Sequence, residues 1–314
     1  MNNEKIINFM GARNWVMGVS LVLCLVALVS FGVRGFNLGL DFTGGTLLEL
    51  HYDRPANLET VRQQLSEAGY PGAVVVHFGS ENELLVRLQS DTSEDGEKVT
   101  ANIGEAIADA LRQRTPGVDI TLTRSEIIGA QIGEEMATNG ILGLLVAFGT
   151  VFIYVAVRFQ TKFSVATIVS QVFDALILLG VFSLFQLDFD LTVLAAVLAA
   201  NGYSLNDSIV VADRIRENFR ILRTETTEEI INISLTQVLG RTVITSGTTL
   251  MVLIALYLFG GELLENFSIA LIIGVIVGTF SSIFVMSPVI VWMKLTREDL
   301  MPPVKEGAEL DELP

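Results

Sequence analysis

Residues 201–219 read NGYSLNDSIVVADRIRENF and follow the apolar run LTVLAAVLAA at 191–200. Together they are long enough to cross a bilayer as one helix, over roughly 191–212. Asp207, with Asn206 beside it, then lies inside the hydrocarbon. An aspartate at the bilayer centre costs about 2.5–3.5 kcal/mol on insertion scales. A carboxylate kept there points to ion handling.

The rest of the chain fits that setting. Of 314 residues, 51% are hydrophobic and 18% charged, below the quarter common in soluble domains. Five further runs are long and apolar enough to span: roughly 15–35, 138–157, 163–185, 242–260 and 267–293. The first is too long for a signal peptide and no small-x-small cleavage site follows it, so it reads as a retained span. Cys24, the single cysteine, sits within it and gives neither a disulfide framework nor a thiol–metal site. It reads as a small lipid- or helix-facing residue.

Orientation follows from the flanking cations. Lys5 and Arg13 precede span one, and Arg158 and Lys162 follow span two. Arg214, Arg216, Arg220 and Arg223 follow span four, and Lys294 and Arg297 follow span six. The turns QLDFD (186–190) and GGELLEN (260–266) carry no Lys or Arg. Both termini are therefore expected in the cytoplasm, with Asp213, Arg214 and Arg216 on a solvated helix end.

Most of the net charge of −15 falls in the block facing the other side, where residues 36–135 hold 17 acidic and 7 basic side chains. Nucleic-acid binding requires the opposite sign. TLLELHY (46–52) reads as a strand and NLETVRQQLSEAG (57–69) as a helix opened by Asn57 and closed by Gly69. AVVVHF (73–78) and ELLVRL (83–88) form a hairpin about GSEN (79–82). EKVTANIGEAIADALRQR (97–114) has helical period, and VDITLTRSEII (118–128) returns to a strand. The order β-α-β-β-α-β predicts a ferredoxin-like sandwich. His51 and His77 read as ordinary strand residues. The expected organisation is an N-terminus and first span (1–35), the outward domain (36–135), spans two to six (136–293) and a cytoplasmic acidic tail (294–314). The glycines of GVRGFNLGLDFTGG (32–45) and GAQIGEEMATNG (129–140) lead us to expect mobile connectors.

Three spans carry polar stripes. Gln171 and Asp174 share a face of span three at i,i+3. Asn201, Ser204 and Ser208 form a stripe on span four, with Asp207 on its flank. Span five opens RTVITSGTTL (241–250), which places Thr242, Thr245, Ser246 and Thr249 on one side and Arg241 at the cytoplasmic edge. Taken singly, the hydroxyls suit helix packing and Arg241 suits a positive anchor. The buried carboxylates suit an ion path better.

LGLDFTGGTLLEL (38–50), GYSLNDSIVVADRIRENF (202–219) and LGRTVITSGTTLMV (239–252) resemble the SecF family over essentially the whole chain. That resemblance implies a six-span half-transporter of the resistance-nodulation-division (RND) type in a bacterial inner membrane, with a periplasmic domain. It further implies pairing with SecD beside the SecYEG channel, and export of an unfolded polypeptide driven by an ion gradient. Asp207 and Arg241 match the family's ion-pathway residues. The family usually has His-Asp in span three, where this chain has Phe173-Asp174, and an apolar residue where this chain has Asn201. Losing an imidazole and gaining Gln171 and Asn201 favours Na⁺ over H⁺, with a possible Na⁺ near Asp207, Asn201 and Gln171. No organic cofactor or firm metal site is expected.

Other functions fit less well. An intramembrane aspartyl protease with Asp174 and Asp207 as its dyad needs Tyr-Asp and Gly-x-Gly-Asp motifs, and this chain has neither, so no enzyme activity is expected. A structural or assembly subunit without ion conduction and an RND-type small-molecule exporter subunit remain the alternatives. No G-x-x-x-x-G-K-[ST] motif is present, so ATP is not the chain's own energy source.

Overall fold

The computed structural model describes residues 6–89, 103–158, 161–296 and 299. Lys5, Arg297, the start of the second domain helix and nearly all of the acidic tail lie outside them. The first span is α1 (Arg13–Val33), followed by β1 (Asn37–Leu38) and the single turn α2 (Leu40–Thr43).

Next comes an α/β domain of β2 (Gly45–Tyr52), α3 (Leu58–Glu67), β3 (Val74–Phe78), β4 (Ser80–Gln89), α4 (Ile103–Arg114) and β5 (Ile120–Ile128). The strands lie in the order β3-β4-β2-β5, each antiparallel to its neighbour. This is the expected split βαβ sandwich. Alternation turns Leu48, Leu50, Leu84, Val86 and Ile120 inward against Val61 and Leu65 of α3 and Ile107 and Leu111 of α4. Asn57 caps α3 by accepting from the Thr60 amide at 3.2 Å, and Gly69 beyond its end has φ +97°. The β3–β4 turn is tighter than expected. Gly79, at φ +77°, makes it nearly alone, and Ser80, Glu81 and Asn82 already belong to β4.

The remaining spans are α5 (Ala130–Arg158), α6 (Thr161–Phe185), α7 (Leu191–Ile221), α8 (Thr227–Phe259) and α9 (Glu262–Ser281). The last continues through a π-helical turn (Ser282–Met286) into α10 (Ser287–Trp292). With α1 they make six helices of membrane-crossing length and composition. Between α6 and α7, β6 (Asp188–Phe189) pairs in parallel with β1. Caps place two of the boundaries. Asp190 accepts from the Val193 amide at the start of α7, and Thr226 and Glu229 form a capping box on α8. Both helices outrun the apolar runs, since α7 carries Asp213, Arg214 and Arg216 in its continuous final turns.

Both connectors make ordered contacts in this structure. Residues 130–140 form the first turns of α5, so helix begins inside the expected domain boundary at 135. The other connector is held by β1–β6 pairing and by the Asp41 carboxylate, which accepts from the Leu191 amide at 3.1 Å. Its glycines serve close approach. A Cβ on Gly45 would lie 2.2 Å from the Leu88 carbonyl oxygen, and one on Gly133 2.7 Å from the Gly44 nitrogen.

Candidate functional site

α7 runs through the bundle between α6, α8 and α9, and small residues let it sit close. A Cβ on Gly274 would lie 2.3 Å from the Ala200 Cβ, and one on Gly278 2.7 Å from the Ser204 Cβ. The polar stripe of α7 therefore meets Asp174 and Gln171 of α6, Thr242 of α8 and Ser282 of the π turn that continues α9.

Asp207 is buried, at 8% exposure. Its Oδ1 accepts from the Thr242 hydroxyl of α8 at 2.9 Å, and its Oδ2 from the Ser282 hydroxyl of the π turn at 2.6 Å. Hydrogen bonds to a charged group are worth about 1.5–3 kcal/mol each. Two hydroxyls thus offset part of the desolvation, yet no cationic side chain pairs with Asp207 among the described residues. Ser282 reaches it through a local irregularity. Pro288 has no N–H for a regular helical bond, and the chain widens into a π turn just before it. The Ser287 hydroxyl donates to the Ser282 carbonyl at 3.2 Å, which satisfies that acceptor at the widened turn.

Asp174 occupies a second cluster. It is 4% exposed and accepts from Ser204 of α7. Ser204 is also 3.2 Å from the Gln171 amide, which adjoins Asn201. Asn201 donates back to the Val197 carbonyl. Ser170 donates to Ser281 at 3.0 Å alongside. Gln171 is thus linked to Asp174 through Ser204, in keeping with their i,i+3 spacing, and Asn201 adjoins it there, whereas the expected Na⁺ position had placed Gln171 and Asn201 near Asp207.

The other expected residues divide by helix face. Ser208 is fully buried with no bonded partner for its hydroxyl among the described residues. Ser246 bonds Thr279 at 2.7 Å. Thr245 is exposed and bonds back to the Arg241 carbonyl of its own helix, and Thr249 bonds back to the Thr245 carbonyl, so the expected α8 stripe splits into inward and outward halves. Arg241 and Asn206 are exposed, and Arg241 makes no ion pair among the described residues. Val243, Ile244, Met251 and Val252, on the same helix as Arg241, are also exposed. The carboxylates do not form a protease-like dyad, which requires two acids sharing one proton. Each is bonded to different hydroxyls.

Thr279, Ser281 and Ser282 were missed in the sequence. Their signal was the hydroxyl run within GTFSS (278–282), six residues before a proline in an otherwise apolar span.

Comparison with known proteins agrees with this architecture. The family model for the C-terminal part of the protein export membrane proteins SecD/SecF matches residues 107–296, and that for the SecD/SecF GG motif matches residues 29–56. The protein translocase subunit SecF of Pseudomonas aeruginosa is 52% identical over 95% of this chain and 94% of its own length. SecF of Vibrio alginolyticus is 42% identical over 99% and 98%. The crystal structure of SecDF from Thermus thermophilus, a translocon-associated membrane protein, superposes with a TM-score of 0.76 at 38% identity. It covers 94% of this chain, which spans only 39% of that longer one. A multi-pass membrane chain with these matches belongs to the SecD/SecF protein export family, as a SecF-type subunit.

Proposed function

We propose that this subunit lets a cation pass by Asp207 and couples that passage to polypeptide export across a bacterial inner membrane. Its termini lie in the cytoplasm, its α/β domain on the periplasmic side, and a SecD bundle covers the face bearing Arg241 and Asn206. The complex works beside the SecYEG channel. The observation that carries this reading is a buried carboxylate held by two hydroxyls with no cationic partner among the described residues. A mobile cation is the counter-charge such a group lacks. Each charge crossing yields about 2.3 kcal/mol per 100 mV, so a few ions supply several kcal/mol per cycle.

Na⁺ is the favoured ion. The oxygens around Asp207 are hydroxyls, which suit a hard cation that sheds water, and the buried Phe173 stands where a relay would want imidazole. The exported chain meets the outward domain, whose edge strands β3 and β5 offer backbone groups to an extended segment. The subunit acts as a transporter and not as an enzyme.

The test is export from inverted vesicles with Na⁺ and H⁺ gradients imposed separately. Asp207→Asn keeps the side-chain volume and removes the charge, and should abolish gradient-driven export while leaving insertion intact. Wild-type export in that variant would end the ion-path reading. A rate indifferent to Na⁺ but driven by a pH gradient would replace Na⁺ with H⁺.

A further inference from the structure

The start of α7 carries one more carboxylate than its cap requires. Asp190 closes the helix, accepting from the Val193 amide at 2.8 Å. The Leu191 amide is another of the first-turn donors, which water can satisfy at a helix end. It donates instead to Asp41, a residue 150 positions away in the chain, at 3.1 Å. The neighbouring contacts repeat that pairing. The Gly39 amide donates to the Phe189 carbonyl at 2.9 Å, and the Asn37 side-chain amide to the Asp188 carboxylate at 2.6 Å. Phe42 is buried against Phe189, ring centroids 6.0 Å apart, in the apolar cluster that holds Val193 and Leu194. Hydrogen bonds and packing thus seat α2 on the first turn of α7.

On its other side α2 is continuous with the domain. β2 begins at Gly45, directly after the turn, and is paired on both sides. Pairing starts at its first residue, with Gly45 opposite Gln89 of β4 and Ile128 of β5. Ile128 in turn lies just before the start of α5. A Cβ on Gly133 of α5 would stand 3.0 Å from the Phe42 carbonyl oxygen, so α5 packs directly on the same turn. Both connectors between domain and bundle therefore meet at α2. Elsewhere the domain meets the bundle through Arg87 of β4, 4.0 Å from Asp188, and where β3 approaches α9. α7 is one uninterrupted helix, and Asp207 lies about 24 Å along it from Leu191.

We propose that α2 is the joint coupling the α/β domain to the ion site, with Asp41 as the positioning residue that fastens it to α7. Rigid elements and the hydrogen bonds between them carry coupling over such distances. A polypeptide pulling on the sheet loads β2, α2 and the start of α7 in series, and the load arrives at Asp207. A shift of α7 as a cation passes reaches the sheet by the same route. The inference rests on the ion-coupled reading. It gives Asp41 the role of a hydrogen-bond acceptor and not of a charge on the ion path.

Variants at Asp41 test it in the complex with SecD, in inverted vesicles, with export and cation uptake measured on the same preparation. Uptake is read with radioactive Na⁺ and a pH-sensitive dye. Asp41→Leu removes the acceptor at similar volume. Export should then fall about tenfold, the factor one charge-assisted hydrogen bond is worth, while uptake stays at the wild-type rate. Asp41→Asn keeps an acceptor oxygen and should export near the wild-type rate. Wild-type export in Asp41→Leu overturns the proposal. So does a joint loss of export and uptake, which would make Asp41 a support of the bundle itself. An Asp41→Asn variant that behaves like Asp41→Leu overturns it too.

A covalent link gives a second reading should Asp41→Leu not fold. A Cβ on Gly39, where φ is −68°, would stand 3.0 Å from the Asp190 Cβ, close to disulfide spacing. Gly39→Cys with Asp190→Cys, in a Cys24→Ser background, should export equally when oxidised and when reduced. Export lost on oxidation and regained on reduction would mean that the joint opens during the cycle, and the proposal falls. Failure of the ion-coupled reading shows elsewhere, in the wild-type uptake and in Asp207→Asn.

Discussion

The α/β domain and the helical bundle bury opposite kinds of side chain. Of the buried polar residues among those described, only Thr46 belongs to the domain, and all the others lie in the bundle or its flanks. The domain core is Leu, Val, Ile and Tyr, whereas the bundle encloses Asp174, Asp207, Gln171, Asn201 and a set of hydroxyls. Conversely, the large apolar side chains of α1, α5 and α8 face outward. In water, removing apolar surface drives folding. In lipid that drive is absent between helices, so close packing and internal hydrogen bonds decide which faces meet.

That contrast can be broken by substitutions of matched size. Leu84 is fully buried in the domain sheet, and Leu84→Ala should cost about 2–5 kcal/mol through lost burial and a residual cavity. Hydrogen exchange of the β2–β4 amides in the membrane-embedded chain measures it, and unchanged protection would contradict a water-driven core. In the bundle, the comparable weak point is a glycine. Gly278→Ala drives a Cβ into Ser204 and should cost about 1–3 kcal/mol by overpacking. It should also disturb the Asp174 cluster, and thermal unfolding in detergent measures the cost.

Tyr52 sharpens the comparison from the domain side. It is buried with an unpartnered hydroxyl among the described residues, and burial pushes its phenol up to about 12 from the usual 10. The folded state therefore holds the proton more tightly than the unfolded chain does. The domain's stability should be intact below pH 10 and fall as pH rises from about 10 through about 12. A phenolate absorbance titration locates the step, and Tyr52→Phe should remove it. The smallest effect belongs to Ser208, whose buried hydroxyl has no bonded partner among the described residues. Ser208→Ala should change bundle stability by no more than about 0.5 kcal/mol. A loss above about 1 kcal/mol would mean that the hydroxyl has a partner in the assembled complex.

The six spans, the sandwich and the residues of the candidate site were largely legible in the sequence, because each rests on local period and composition. Twenty apolar residues must be a span wherever they pack, and alternation turns one strand face inward whatever covers it. Asp207 and Asp174 were identifiable because an intramembrane carboxylate is costly in any arrangement. Only the tertiary structure decided which polar groups meet. The i,i+3 spacing already put Gln171 on the face of Asp174, but helix spacing alone does not say which carboxylate Asn201 of α7 approaches. The close approach of α9 at Gly278 and the way α6 seats against α7 settle that question in favour of Asp174. Ser282 reaches Asp207 from 75 residues away, through a π turn lying just before Pro288. The contacts of the connectors were hidden for a related reason. Glycine is read from sequence as freedom, but at Gly45 and Gly133 it is the absence of a Cβ that lets two backbones touch. Local pattern specifies what each segment is, while the pairing of segments depends on contacts between residues far apart in the chain.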